Sequence, residues 1–597
     1  MTKTHAEYLR RARSLETAED RPSFKLAVLS SFTTDFLKPY ILVESNRINC
    51  LLKPWFGPFN QFEQMIFDNN SALWRFQPKL IWITMRIEDI DRYFSDEFAG
   101  LEPAVAKEHL DTLRYRLVTL ARVTRERFSG PILISNLTVA DQEFINVFDA
   151  SNPDGLAHLI AEQNRFLARE LAQFNDVHVF DYAGCVAKEG HKTWRDQRLW
   201  YMARMAVGPQ AQKPLACILT RAAAAVLRPS AKCIVLDLDN TIWGGVIGDD
   251  GPSGIKLGDD YPGIVFKDFQ SALLGYRRQG FLLAIASKND ETVVRDVLDT
   301  HPEMILRTKH FAAIQVNWEP KVVNLQRIAK TLNIGLDSLV FIDDNPVERA
   351  YVRAELPMIR IVELPQDPLG YLPVLRDIVE LDRPRQLRED TLRAEMYQQE
   401  TLRKEFSAKQ ADINDFLVSL EMVVEVGTLN THTIERIHQL IQKTNQFNLT
   451  TRRYSLEEIK QLGEAKDSKV MWLRLRDRFG ELGLVCVGVI RRIEKSLWEI
   501  DTFLMSCRVM GRNVEDAFLH YLAELAMAKE ATHLQGTYIK TQKNEPVVNF
   551  YKEHGFAETS HPEDMTWVYT IELTPKTFAW PNHIRRVDTD IKENANA

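Results

Sequence analysis

Ile234-Val235-Leu236-Asp237-Leu238-Asp239-Asn240-Thr241-Ile242-Trp243-Gly244-Gly245 joins an apolar run of strand type to two aspartates on alternate positions, then breaks into a turn. Residues two apart on a strand point the same way, so both carboxylates can leave the sheet at one site. Like charges so placed repel, and a divalent metal ion is the simplest compensation. In an α/β sheet, ligands bind at the carboxyl ends of the strands.

Three further elements follow in order. Residues 283–287 form a strand-type run ending in the hydroxyl of Ser287. Lys321 follows Glu319-Pro320, and the apolar run 339–342 ends in Asp343-Asp344. With the opening D-x-D-x-T, this set resembles the haloacid dehalogenase (HAD) superfamily. The resemblance implies that Asp237 attacks phosphorus and becomes an aspartyl-phosphate. Asp239 then protonates the leaving group and activates water. Magnesium would be held by Asp237, Asp343 and the backbone carbonyl of Asp239. Ser287 and Lys321 would bind the phosphoryl group, and Asp344 would orient Lys321. Fifty residues separate Asp237 from Ser287. They must hold a turn, a helix over 264–279 and the return strand, which leaves little for a mobile cap. A nearly capless, Rossmann-like phosphatase domain is expected over 226–380.

The chain has 597 residues, too many for one core, and three domains are the natural expectation. With 45% hydrophobic and 26% charged residues, the composition is that of a soluble globular protein. A net charge of −7 is mild and argues against general nucleic-acid binding. No apolar run approaches a membrane span, and the N-terminus lacks the apolar core of a secretory signal. The six cysteines are scattered without a C-x-x-C pair, which fits a reduced cytoplasmic location and no structural zinc.

Residues 1–225 alternate strand-like runs (25–29, 80–83, 131–135, 177–180) with a long amphipathic helix over 102–128, the pattern of a doubly wound sheet. Ser30-Ser31 and Asn136 sit where an SGNH-type esterase carries its serine and asparagine. The D-x-x-H ending of that family is absent, since Asp196 is followed by Leu199. A serine triad does not work without its base. The region is therefore read as an SGNH-like, non-catalytic docking domain.

Residues 381–410 are charged and helical in pattern, including Arg383, Arg385 and Arg388, and read as a solvated connecting helix. From 411 to 575, strands over 470–475, 484–490 and 498–505 lead into Ser506-Cys507-Arg508-Val509-Met510-Gly511-Arg512-Asn513. A helix over 514–529, a strand over 534–540 and Phe550-Tyr551-Lys552-Glu553-His554-Gly555-Phe556 follow. This order resembles the GNAT acyltransferase α/β fold, in which the turn donates backbone N–H groups to a cofactor pyrophosphate. Here Asn513, with Asp516 as partner, makes an N-cap. Glu515 and Asp516 put negative charge where a pyrophosphate would sit. Ordinary use of coenzyme A is thus disfavoured. A carrier protein's phosphopantetheine arm, with one phosphate, would still fit beside Arg508, Gly511 and Arg512, with Tyr551 near. Cys507 lies at a strand end ahead of a helix N-terminus, conditions that make a nucleophile; the alternative is a buried core residue. Cys486, in mid-strand, is core. The amide-dense segment 441–450, with Asn445 and Gln446, is either a capped loop or the lining of a pocket. Residues 576–597 read as a tail.

Taken together, D-L-D-N-T-I-W-G-G-V, A-S-K-N-D, W-E-P-K, F-I-D-D-N-P-V-E-R, K-T-N-Q-F-N-L-T and M-S-C-R-V-M-G-R resemble the FkbH-like proteins, whose long form joins SGNH-like, HAD-type and GNAT-like regions. The resemblance implies a glyceryl transferase/phosphatase of polyketide-type biosynthesis. Such an enzyme takes a small phosphorylated three-carbon acid, 1,3-bisphosphoglycerate, and removes phosphate. It loads D-glyceryl onto the pantetheine thiol of an acyl carrier protein, with Cys507 matching the cysteine that carries the acyl group. His438 and His520 are candidate bases for that thiol. Two other readings stay open: a plain magnesium phosphatase with a non-catalytic GNAT-like partner, and a carrier-protein-binding scaffold.

Overall fold

Alternation along the first strands builds the N-terminal layer. In a computed structural model, Leu26, Val28, Leu80 and Trp82 enter one apolar cluster, and Ala27, Leu29, Ile81 and Ile83 enter another on the opposite side. A strand buried on both faces needs helices on both faces, and this is the doubly wound arrangement. The structure describes residues 4–17, 22–94, 103–138, 147–385, 412–541, 543–560 and 565–588. They fall into two compact units, Met1–Thr391 and Leu392–Ala597.

The first unit holds two parallel five-stranded sheets. Strands β1 (Ser23–Ser30), β2 (Leu51–Phe56), β3 (Leu80–Thr84), β4 (Ile132–Ser135) and β5 (Val177–Phe180) lie in the order β2-β1-β3-β4-β5. Strand β2 carries Pro54, which a sheet tolerates because β2 is at its edge. The second sheet runs β10-β9-β6-β7-β8, with β6 (Cys233–Leu236), β7 (Leu282–Ser287), β8 (Ala313–Val316), β9 (Leu339–Asp343) and β10 (Arg360–Glu363). Strand β6 lies between β7 and β9, with Leu236 opposite Ile285 on one side and Ile342 on the other. This register brings the carboxyl ends of β6, β7 and β9 together.

Between Asp239 and the helix Gly263–Arg278 stand a one-turn helix, Ile247–Asp250, and two isolated bridges, Asp239 with Trp243 and Gly244 with Lys256. The Gly-Gly pair has a steric reason. A Cβ on Gly244 would lie 2.9 Å from Phe266 Cε2, and Gly245 has φ of +96°.

Two expectations need correction here. Arg383 and Arg385 are half-buried and engaged by other groups of the fold. Arg383 stacks on Phe281 and donates to the Gln279 carbonyl, while Arg385 donates to the carbonyls of Leu171, Phe174 and Val177. Free carbonyls at a helix end attract such a cation. Residues 386–411, the rest of the expected connecting helix, lie outside the described residues. Nor are residues 576–588 a tail. Strand β19 (Ile584–Asp588) pairs in parallel with β11 (Met422–Thr428), and Phe578 and Trp580 pack on the core. Residues 589–597 lie outside the described residues.

The second unit is a nine-stranded, mainly antiparallel sheet. Beyond β11 it contains β12 (Phe447–Asn448), β13 (Ser468–Asp477), β14 (Gly480–Arg492), β15 (Leu497–Met505) and β16 (His533–Ile539), with β17 (Ala557–Ser560) and β18 (Thr566–Glu572) at the far edge. Helix Val514–Met527 covers one face, and helices Ile434–Lys443 and Leu456–Glu464 cover the other. Strands β15 and β16 run parallel over Leu497–Ile500 and His533–Gly536. Past that point the segment 447–449 bonds to both. Phe447 and Asn448 pair with β15, and the Leu449 carbonyl accepts from the Ile539 amide.

Candidate active site

Four of the five strands of the HAD-type domain each lead to one group. Asp237 follows β6, Ser287 ends β7, Asp343 ends β9, and Lys321 opens the helix Lys321–Thr331 after β8. Lys321 Nζ lies 2.5 Å from Asp343 Oδ2 and 3.0 Å from Asp237 Oδ1. Ser287 donates to Asp237. All four side chains are buried. Burial pushes the Asp237 carboxyl up. Lys321 opposes that shift, Asp343 adds to it, and the Ser287 hydroxyl pulls it back. Asp343 is likewise raised by burial against Lys321. Carboxylates forced up by desolvation are ionised more readily when a cation is added.

Asp237, Asp343 and Asp344 each offer an oxygen within 4.8 Å of the others. A hard divalent cation takes such oxygen donors, so the donor set fits magnesium with water or phosphate completing the shell. The expected metal contribution of residue 239 is its carbonyl; its carboxylate is engaged by three donors. Asp239 Oδ1 accepts from the Trp243 indole at 2.9 Å and the Ile247 amide at 3.1 Å, and Oδ2 accepts from Asn289 at 2.9 Å. A carboxylate held by three donors is aimed, as a proton carrier must be. Asp344 differs from expectation. The hydrogen bonds holding Lys321 run to Asp343 and Asp237, while Asp344 joins the acidic group.

Several contributors were not assigned from the sequence. Asn289 bridges Asp239 and the Ser287 hydroxyl. It stands inside A-S-K-N-D, but two residues beyond the strand end its register is not readable. Asn240 adopts φ of 51°, and its side chain accepts from the Gly245 amide. Arg349 donates to the carbonyls of Asp343 and Asp344, clamping the acidic strand end.

In the N-terminal domain, the serine and asparagine of the SGNH comparison are committed to structure. Ser31 donates to Asp89 at 2.8 Å, and Asn136 donates to Asp181 at 2.7 Å. Asp196 caps a short helix by accepting from the Leu199 amide.

Among the described residues, the acyl-site candidates of the second unit have separate partners. Arg512 is buried 3.6 Å from Asp477, and the Tyr551 ring lies under Gly536 among Phe550, Phe556 and Tyr569. Both side chains are buried. Arg508 donates to Ser506, and Gly511 supplies a left-handed turn at φ of 74°. Asn513 stands at the N-cap in the left-handed region, yet its amide donates to Asp516 instead of accepting from the backbone. The half-buried Glu515 carboxyl is raised by burial and accepts from the Gly511 amide, a donor an anion at this turn would use. Asn445 accepts from Arg453, Gln446 is exposed, and Asn448 bonds Thr444 and Thr451, so these amides brace the turn between the helix Ile434–Lys443 and β12. The Cys507 side chain lies outside the described residues; its backbone opens the 3-10 turn Cys507–Val509. Cys486 is core, its thiol pushed well up by burial. His520 is engaged by the Phe578 carbonyl and Glu524, and His438 lies near Gln442.

An aspartate pair, hydroxyl, lysine and second acid pair at the carboxyl ends of a parallel sheet define a HAD-type phosphatase-like domain. Residues 25–216 match the family model described as FkbH, N-terminal domain, which supports an FkbH-like HAD protein. It is similar to the N-terminal part of the protein BF1531 from Bacteroides fragilis, described as containing a phosphatase domain and complexed with Mg. The identity is 27%, the TM-score 0.55, and the match covers 64% of this chain and all of that one. Ard1 from Thermoplasma volcanium matches at 15% identity and TM-score 0.21, covering 25% of this chain and 98% of its own. The GNAT domain of S. lividans PAT matches at 14% and 0.21, covering 25% and 89%. Those two likenesses are too slight to bear on what the second unit does. No curated protein sequence matches the chain.

Proposed function

We propose that the chain is a magnesium-dependent phosphatase of HAD type acting on a phosphorylated three-carbon acid, and that it also transfers the glyceryl unit. The observation that carries the first part is the convergence of Asp237, Ser287, Lys321 and Asp343 on one buried point, with Asp239 aimed beside it. Asp237 and Asp343, with the carbonyl of Asp239, would hold magnesium, which would neutralise charge on the phosphate oxygens. Asp237 Oδ forms the bond to phosphorus as the ester P–O bond breaks, and Asp239 gives the leaving oxygen its proton. Water then attacks the aspartyl-phosphate, Asp239 takes the water's proton, and phosphate departs. Ser287 and Lys321 bind the phosphoryl oxygens throughout.

For the transfer, the FkbH likeness supports 1,3-bisphosphoglycerate as donor and an acyl carrier protein as acceptor. The Cys507 thiolate would attack the acyl-phosphate carbonyl and expel phosphate, and the carrier's pantetheine thiol would then displace Cys507. The 3-phosphate is an unactivated ester and falls to Asp237. A second reading, phosphatase alone, is favoured by the burial of Arg512 and Tyr551 and by the internal occupation of the β15–β16 divergence.

Incubating the protein, magnesium, 1,3-bisphosphoglycerate and a carrier protein, then weighing the carrier, separates the two readings. A gain of one glyceryl group supports loading; free phosphate with no gain supports phosphatase alone. Asp237→Asn is expected to lower phosphate release from the 3-position by about 10³-fold or more while a phosphoglyceryl adduct still forms. Normal dephosphorylated product from that variant refutes the nucleophile.

A further inference from the structure

Beside the acidic cluster opens a cavity of about 580 Å³, lined by Asp344 at the catalytic end and by Asn240, Gly244, Lys256, Tyr261 and Arg349. Two cations face it. Arg349 is spent on the carbonyls of Asp343 and Asp344. Lys256 is not spent: among the described residues no acceptor engages its ammonium. Its backbone is nevertheless fixed, because its amide donates to the Gly244 carbonyl at 2.7 Å and its carbonyl accepts from the Gly244 amide at 3.1 Å. Gly244 in turn is pinned against Phe266. The wall carrying the lysine is therefore tied to the loop that leaves the nucleophile strand, with no mobile cap between them.

A backbone-fixed cation in a cavity that meets the acidic cluster at Asp344 suits a substrate carrying a second negative group besides the phosphate ester. We propose that Lys256 is a specificity-determining residue: it pairs with a second anionic group, carboxylate or phosphate, on the far side of the phosphate ester being cleaved. This rests on the phosphatase reading of Asp237. It adds that alcohol phosphates with no second anionic group are poor substrates and that small acids carrying two anionic groups are good ones.

The test uses the full chain with magnesium and four probes. 3-Phosphoglycerate and 2,3-bisphosphoglycerate carry the second anion; glycerol 3-phosphate and p-nitrophenyl phosphate do not. Wild type is expected to favour the first pair in kcat/KM. Lys256→Met should raise KM for that pair about three- to tenfold, with a shift at least about threefold smaller for the second pair, while Lys256→Arg keeps the preference. The preference should also weaken with salt. Equal KM changes for all four probes, or none, overturn the proposal while leaving the phosphatase reading standing. No turnover of any ester by wild type overturns both.

Discussion

Asp239 shows how much a single residue depends on its neighbours. Its carboxylate is met by Trp243, Ile247 and Asn289, and only Asn289 also reaches the Ser287 hydroxyl. Hydrogen bonds to a charged group are worth about 1.5–3 kcal/mol. Asn289→Ala is therefore expected to lower kcat about 10- to 100-fold. KM should move little, since two donors and the phosphate ligands remain; steady-state kinetics on p-nitrophenyl phosphate reads the split. Lys321 serves stability as well as binding. Without it, Asp237 and Asp343 are buried acids with no lysine beside them. Lys321→Met should cost about 3 kcal/mol or more in chelator, and magnesium should restore part of it in a thermal scan. A variant as stable as the parent in chelator would mean that the two acids are held neutral.

At the scale of elements, what matters is where strands end and where they part. The convergence of β6, β7 and β9 makes the phosphoryl site, and the parting of β15 from β16 leaves unpaired edges that segment 447–449 fills. Asn544 locks that wedge. Fully buried, it donates to the carbonyls of Asn448 and Ile539 and accepts from the Thr541 amide and the Tyr538 hydroxyl. Asn544→Ala strips four bonds at once and is expected to destabilise the second unit by about 2–4 kcal/mol. Amide exchange at Leu449 and Ile539, faster in the variant than in the parent, would report the opening; unchanged protection there would mean that the wedge is held by packing alone.

At the scale of the whole molecule, two histidines make the first unit sensitive to acid. His178 in β5 is pushed down to about 4 by burial and by Arg385. His310 is pushed down to about 4 by burial and by Arg277, and its Nδ1 accepts from the Arg307 amide, a bond that needs the neutral ring. The folded values lie below the unfolded one, so the unfolded chain binds protons first. Stability is full above about pH 6.5 and falls as pH drops toward 4, by about 1 kcal/mol per ring after allowance for solvent screening. The Tm should fall between pH 7 and 5, and His310→Gln should flatten that slope. An unaltered slope in the variant would place the acid sensitivity elsewhere.

The division between sequence and tertiary structure follows from the range of the interactions. Elements whose signal is local were legible. The runs 25–29, 80–83, 283–287 and 339–342 are strands because they are almost wholly apolar, and the D-x-D, Ser287, Lys321 and Asp343 pattern is legible because the acids and the serine sit at strand ends and the lysine opens the helix after β8. Roles that depend on a partner far along the chain were not. Asn289 reaches Asp239 across 50 residues, Arg385 reaches the carbonyls of Leu171 and Phe174 across more than 200, and β19 finds β11 from a stretch that reads as tail. Arg512 and Tyr551 look like ligand-binding groups in sequence and become core in the fold, because only packing decides which charges meet water. The sequence by itself determined which chemistry the chain carries; the tertiary structure decided which groups remain available to perform it.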